Sequence, residues 1–115
     1  MATTAQIRIN AAENLGILGE GETLESEVSS DLAEAYDDIY RELESEGLAT
    51  WSSTADIPKQ YSISVAMLVA EARAVKYKVP VERYQQIKFE AAEGLKKIRR
   101  LQARGMMGQT KIENF

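Results

Sequence analysis

Carboxylates are the most abundant side chains in this sequence that could do chemistry. Asp37, Asp38, Glu42 and Glu46 follow one another at short spacing, and hard divalent cations accept carboxylate oxygens as ligands. The sequence has no histidine and no cysteine, so it lacks the usual zinc ligands and the imidazole bases of catalysis. The glycine-centred spacing of an EF-hand loop is also missing. We therefore predict no metal site and interpret these carboxylates as a solvated face.

Three other groups of residues could carry chemistry, and each has a simpler interpretation. Lys76 and Lys78 could be imagined at a Schiff-base site, but no pocket signature accompanies them. The segment GILGEG at residues 16–21 has the glycines of a phosphate loop, yet it lacks the preceding strand and the Lys-Ser or Lys-Thr that such a loop requires. Glu22 or Glu71 could serve a hydrolase only as part of a carboxyl pair in a cleft. We predict no enzymatic activity, no catalytic residue and no cofactor.

A run of bases, formed by Lys96, Lys97, Arg99 and Arg100, lies in the last quarter of the sequence. Such a run could contact nucleic-acid phosphates, or it could favour the C-terminus of a helix that keeps Ile98 in the core. No aromatic residue lies among these bases to stack on nucleotides. Acidic groups on a protein neighbour fit the run at least as well, and a DNA-binding or DNA-packaging role stays the alternative.

The charges are divided unevenly between the two halves of the chain. Residues 1–50 hold twelve acids against Arg8 and Arg41, and residues 51–115 hold twelve bases against six acids, which gives −10 and +6 within a net charge of −4. This polarity could close within one chain, could join the acidic side of one copy to the basic side of the next, or could direct the basic end toward nucleic acid. By itself, closure within one chain is the simplest of the three.

Four segments have the apolar periodicity of α-helices, which predicts an all-α fold, a small four-helix bundle with an extended C-terminal tail. They cover residues 4–15, 26–46, 61–78 and 81–104. Thr3 and Gln6 have the spacing of a capping box at the start of the first helix. Gly16, Gly47 and Gly105 lie where the first, second and fourth helices should end.

The third predicted helix is apolar almost all round, so it should be buried on most sides. The most apolar run of the sequence, residues 63–70, is much shorter than the roughly 20 residues that a membrane-spanning helix needs, and we predict no membrane partner. Trp51 lies in the connection before this helix and is expected to anchor that connection over the bundle.

The sequence divides into a helical domain at residues 1–104 and a C-terminal extension at residues 105–115. The extension contains four large apolar side chains, those of Met106, Met107, Ile112 and Phe115. Terminal segments are often disordered, but these side chains would be costly to leave in water if the segment were ordered. Docking onto a second protein chain would bury them.

Several short sequence segments, taken with the order of the predicted helices, resemble a known family. They are NLGI at 14–17, GETL at 21–24, EGLATW at 46–51, Ile57-Pro58, and VAMLVAEA at 65–72, followed by a helix that ends in bases. Together they cover roughly residues 5–104. On these residues the sequence resembles the small all-helical head-to-tail adaptor, or connector, proteins of tailed bacteriophages, which are related to the podovirus tail accessory factors.

The resemblance implies a structural role in the virion. Such a protein would assemble in the host cytoplasm as a ring, commonly of twelve copies, beneath the portal protein at the head-tail interface. The ring would close the DNA-filled head, let DNA pass without sequence-specific binding, and present a surface to the next tail or nozzle protein. The extension would reach along the portal through Met106, Met107, Ile112 and Phe115.

The uneven charge then has a possible role between neighbouring subunits of the ring. The acidic second helix of one copy would meet the basic fourth helix of the next. The residues predicted to make these contacts are Asp31, Glu34, Asp38, Lys96, Lys97, Arg99 and Arg100.

Overall fold

The computed structural model describes the backbone of residues 2–19 and 22–113, and the side chains of residues 2–19 and 22–103. The fold is all-α, as predicted: within this part of the chain there are four α-helices and, apart from one isolated bridge, no β-structure. The helices are α1 (Thr4–Leu15), α2 (Ser26–Ser45), α3 (Lys59–Arg73) and α4 (Val81–Glu113). None of these helices, over the described residues, is long and apolar enough to cross a membrane.

Helix α1 begins and ends where the sequence predicts. The backbone N–H of Gln6 donates to the Thr3 hydroxyl and the Gln6 side chain accepts from the Thr3 N–H, which completes the predicted capping box. At the other end Gly16 adopts a left-handed φ of 76°. The bonds from Gly16 N–H to Glu13 and from Ile17 N–H to Ala12 form the Schellman pattern that closes many helices.

Helix α3 is the centre of the fold, because it packs against each of the other three helices. Its side chains are buried from Ser64 to Ala70, which confirms the prediction of a helix buried on most sides. Helix α4 approaches it closely at Gly94, where a built Cβ would lie 3.1 Å from the Ser64 Cα. Glycine at this position allows the two helix backbones to come together.

Helix α3 begins two residues earlier than predicted and ends five residues earlier, at Arg73. The five residues that follow form turns. Lys78 adopts a left-handed φ of 54°, and the bonds from Lys78 N–H to Val75 and from Val79 N–H to Ala74 form another Schellman pattern. A lysine does not signal such a stop in a sequence, since the left-handed region favours glycine.

Helix α4 starts at Val81, as predicted, and continues to Glu113, past the predicted end at Arg104. Glycine in a helix interior costs only about 1 kcal/mol relative to alanine. A glycine such as Gly105 therefore does not by itself end a helix. The side chains of Ile87, Ala91 and Ile98 are fully buried and form the face of α4 that packs on the core.

An aromatic cluster covers one side of the bundle between α2 and α3. The ring centroids of Trp51 and Tyr61 lie 5.3 Å apart with the rings tilted, and the Trp51 Nε1 donates to the Tyr36 hydroxyl at 3.0 Å. The Tyr40 hydroxyl donates to the Trp51 carbonyl oxygen at 2.8 Å. All four rings are buried, and the predicted role of Trp51 as an anchor is confirmed.

Candidate interaction surfaces

The outer side of α2 carries exposed carboxylates that we call the acidic face: Glu34, Asp38 and Glu42. Among the residues whose side chains are described, none of the three forms an ion pair. Spacings of four residues place them on one side of the helix, opposite the buried Leu32 and Leu43. No described side chain of the same chain therefore neutralises the acidic face.

Asp31 lies on the same helix, but its carboxylate is satisfied within the chain. It accepts hydrogen bonds from Arg73 Nε at 3.2 Å, from Lys76 Nζ at 2.8 Å and from the Tyr77 hydroxyl at 2.7 Å. Its side chain is only 13% exposed. We call these four residues the Asp31 cluster. The Asp31 cluster links α2 to the end of α3 and the turn that follows. Asp31 is therefore not free for the predicted contact between subunits.

The Asp31 cluster shifts the acidity of two of its members. Burial acts to raise the pKa of Asp31, but the hydrogen bonds from Lys76 and Tyr77 and the charge of Arg73 outweigh it, and the pKa is lowered from its ordinary value. Burial and the hydrogen bond to Asp31 raise the pKa of Tyr77 to about 12. The carboxylate is thus held charged and the phenol neutral, which is the pairing that their hydrogen bond needs.

The basic end of α4 comprises Lys96, Lys97, Arg99 and Arg100, and all four side chains are exposed around the buried Ile98. Lys96 Nζ lies 3.4 Å from a carboxylate oxygen of Glu93 on its own helix. Neither Lys97 nor Arg100 forms an ion pair with any residue whose side chain is described. Two bases at this end therefore have no acidic partner in the described part of the chain.

Arg99 joins the two charged regions within one copy. Its guanidinium Nη2 donates to Glu46 at the end of α2 over 2.8 Å, and both side chains are about half exposed. Among the described side chains, Asp31 and Arg99 are thus the two residues predicted to meet between subunits that pair with an opposite charge outside their own helix, and Lys96 pairs within α4. Glu34 and Asp38 form no ion pair with Lys97 or Arg100, so closure within one chain accounts for part of the charge and leaves the rest exposed.

The candidates for catalysis and metal binding are not gathered into a site. In the residues the structure describes, no three histidine, cysteine or acidic side chains stand close enough to hold a metal ion. Lys76 belongs to the Asp31 cluster, and Lys78 is exposed at the turn before α4. The first glycine of GILGEG serves as the stop of α1. The predicted tail contacts, which are the side chains of Met106, Met107 and Ile112 and all of Phe115, lie outside the described residues.

Two contacts of this surface were not predicted. The Asp31 cluster joins Asp31 to residues that lie at least 42 positions further along the chain. Local periodicity cannot predict such a contact. Arg83 donates through both Nε and Nη2 to the Asn14 carbonyl oxygen at 3.2 and 3.0 Å, which places a cation at the C-terminus of α1, where it is stabilising. The only hint in the sequence was the general excess of bases in the second half.

Comparison with known proteins gave no match: no family model, curated protein or solved structure is similar to this chain.

Proposed function

We propose that this protein is a structural head-to-tail adaptor of a tailed phage, whose copies form a ring that binds the portal, seals the DNA-filled head and receives the tail. The observation that carries the proposal is one chain with two exposed faces of opposite charge. The acidic face on α2 and the bases Lys97 and Arg100 on α4 lack ion-pair partners among the described side chains.

Opposite charges on different helices favour self-association, because a contact between the acidic face of one copy and the basic end of another is attractive. A two-fold dimer would make this contact twice, once in each direction, and would use up both faces of both copies. A heterologous contact makes it once and leaves one free face on each copy. Further copies can then add, and the assembly closes into a ring when the rotation between copies permits it.

We infer the portal and the tail as partners from the short sequence segments that resemble phage adaptors. The expected arrangement is a ring of twelve copies in the virion, with the portal on one side and a tail or nozzle protein on the other. The extension at residues 105–115, with Met106, Met107, Ile112 and Phe115, supplies a second contact to the portal. Two linked contacts bind more tightly than either alone, because the second forms at high effective concentration.

Charge reversal tests the contact between copies. Lys97→Glu with Arg100→Glu should abolish assembly, measured as mass by light scattering at low salt, because two attractions become repulsions. Each exposed pair contributes less than about 1 kcal/mol. Because salt screens exposed charges, assembly of the unaltered protein should also weaken at high salt. Adding Glu34→Lys and Asp38→Lys to the same chain should restore the assembly.

Lys88→Glu is the matched control, since Lys88 is an exposed base on α4 outside the basic end. It should leave the mass unchanged. Assembly that survives the double reversal, or that responds equally to Lys88→Glu, would remove the charge contact from the proposal.

A DNA-binding or DNA-packaging accessory role is the second candidate, because Lys97 and Arg100 are exposed side by side without an ion pair in the described structure. Neutralising phosphates releases counterions, so DNA affinity would fall steeply with salt. Under this candidate the protein would remain a monomer in the presence of portal rings. The double reversal would then abolish a DNA shift that the unaltered protein produces.

A further inference from the structure

The turn that joins α3 to α4, together with the first residue of α4, exposes apolar and basic side chains that we call the corner: Val75, Lys76, Lys78 and Val81. The side chains of Val75 and Val81 are 74% and 71% exposed. Lys76 is engaged by Asp31, whereas Lys78 forms no ion pair with a described side chain. Large apolar side chains this exposed, beside an unpartnered base, mark a surface that another protein can cover.

A groove lies at the other end of α3, between α1, α3 and α4, and we call it the Ile63 groove. Two adjoining recesses of about 250 and 380 Å³ share Asn14 and Ile63 among their lining residues. Met67 and Gly94 add to the apolar lining of the larger recess. Ile63 is 73% exposed although the next seven residues of α3 are buried.

The rim of the Ile63 groove carries three carboxylates and one base, Lys97. Glu13 lines the smaller recess, and Glu90 and Glu93 line the larger one. Glu93 has Lys96 as a partner, but Glu13 and Glu90 form no ion pair with a described side chain. The groove thus offers an apolar centre with carboxylates beside it, the complement of an apolar surface that carries a base.

We propose that the corner of one copy docks into the Ile63 groove of the next copy. Val75 and Val81 would cover Ile63, and Lys78 would meet Glu90. Apolar contact in the centre with opposite charges at the rim is the usual composition of a specific protein interface. The occupant is a second copy because the chain itself carries exposed apolar side chains beside a base, which the apolar centre and the carboxylates of the groove complement.

The positions of the two features suit a head-to-tail contact. Ile63 lies ten residues before the end of α3 at Arg73, which is about 15 Å at 1.5 Å per residue, so the groove lies toward the start of α3 and the corner follows its end. One copy can therefore give its corner to one neighbour and its groove to another. A contact of this heterologous type produces rings or filaments.

Parts of the two charged faces lie near the two docking surfaces. Asp31 binds Lys76 of the corner, and Glu34, three residues further along α2, is the member of the acidic face closest to it in sequence, whereas the end of α2 reaches Arg99. Lys97, from the basic end of α4, lines the Ile63 groove. Corner-to-groove docking would thus bring the Glu34 end of the acidic face of one copy toward Lys97 of the next. The inference rests on the proposed self-assembly and specifies which surfaces make it.

Single apolar-to-charged changes test the docking directly. Val75→Asp and Ile63→Asp should each weaken self-association at least about tenfold, as expected for a residue near the centre of an interface. Both side chains are exposed in the single chain, so circular dichroism should show unchanged helicity. Ala92→Asp, an exposed position on α4 that lines neither recess, is the control and should assemble normally.

A charge exchange tests which surfaces meet. Lys78→Glu and Glu90→Lys should each weaken assembly, and the two together in one chain should restore it, which a merely local effect at either site would not do. If the unaltered protein assembles and Val75→Asp and Ile63→Asp assemble equally well, this inference is overturned while the adaptor proposal stands. If the unaltered protein stays monomeric alone and with portal rings, both are overturned.

Discussion

Replacing Asp31 by asparagine should destabilise the fold by about 2 kcal/mol. The carboxylate accepts three hydrogen bonds from the other members of the Asp31 cluster, and only 13% of its side chain is exposed. Lys76 is 60% exposed, and its contribution is less than about 1 kcal/mol. The contacts with Arg73 and Tyr77 are better shielded from water, and hydrogen bonds to a charged group contribute about 1.5–3 kcal/mol in such settings.

Urea unfolding, followed by circular dichroism, measures this loss. With a denaturant slope of about 1–3 kcal/mol/M for a small domain, the midpoint should fall by roughly 1 M. Asp37→Asn is the control, because the Asp37–Arg41 pair spans 3.0 Å but its side chains are 47% and 75% exposed. The control should lose less than about 0.5 kcal/mol. Equal losses from the two variants would refute the argument that shielding from water makes the Asp31 cluster stabilising.

The same variant gives a pH dependence of known sign. The pKa of Asp31 is lowered in the folded protein from its ordinary value of 3.8. A carboxyl with a lowered pKa stabilises the fold above its unfolded pKa, and the stabilisation is lost as the pH falls through the folded pKa. The difference between the unaltered protein and Asp31→Asn should be complete at pH 7 and shrink below about pH 4. A difference that stayed constant down to pH 2 would show that the charge of Asp31 is not its source.

Two further substitutions test the backbone geometry by urea unfolding. Lys78→Gly should stabilise the fold by about 0.5–1 kcal/mol, because it relieves a left-handed φ of 54° that costs residues other than glycine about 1–2 kcal/mol. Lys78→Ala keeps the strained backbone and should change the stability little. Equal effects of the two substitutions would contradict the reasoning. Gly94→Ala should cost about 1–3 kcal/mol by overpacking, because its Cβ would lie 3.0 Å from the Ser64 Cβ. Adding Ser64→Gly should recover part of that loss, and no recovery would place the strain elsewhere.

The sequence predicts well the features of this fold that depend on local chemistry. The capping box at Thr3 and Gln6 and the stop at Gly16 fix α1 through contacts within a few residues. The same is true of Gly47, whose φ of 73° closes the end of α2. Burial of α3 follows from its composition, because a helix that is apolar on every side is stable only when other elements surround it.

Features that depend on distant residues were beyond such reasoning. The early end of α3 depends on a lysine in a conformation typical of glycine, and Tyr77 in the same turn bonds to Asp31 on α2. The Asp31 cluster could not be predicted either, because its residues are distant in the sequence. The sequence showed an acidic helix and several bases, but whether Asp31 would meet Lys76 or Lys97 depends on how the helices pack. The exposure of Ile63 within an otherwise buried helix likewise follows from packing rather than from composition.

We propose that this chain is an adaptor that binds the portal as a ring, and the mass of the protein mixed with candidate portal rings tests this proposal most directly. Light scattering at low and high salt, on the protein alone and on the mixture, gives that mass. We predict a stoichiometric complex of one portal ring with a ring of adaptor copies, twelve if the resemblance holds. A monomer that ignores portal rings and shifts DNA in a salt-dependent manner would contradict the claim and favour the DNA-binding role.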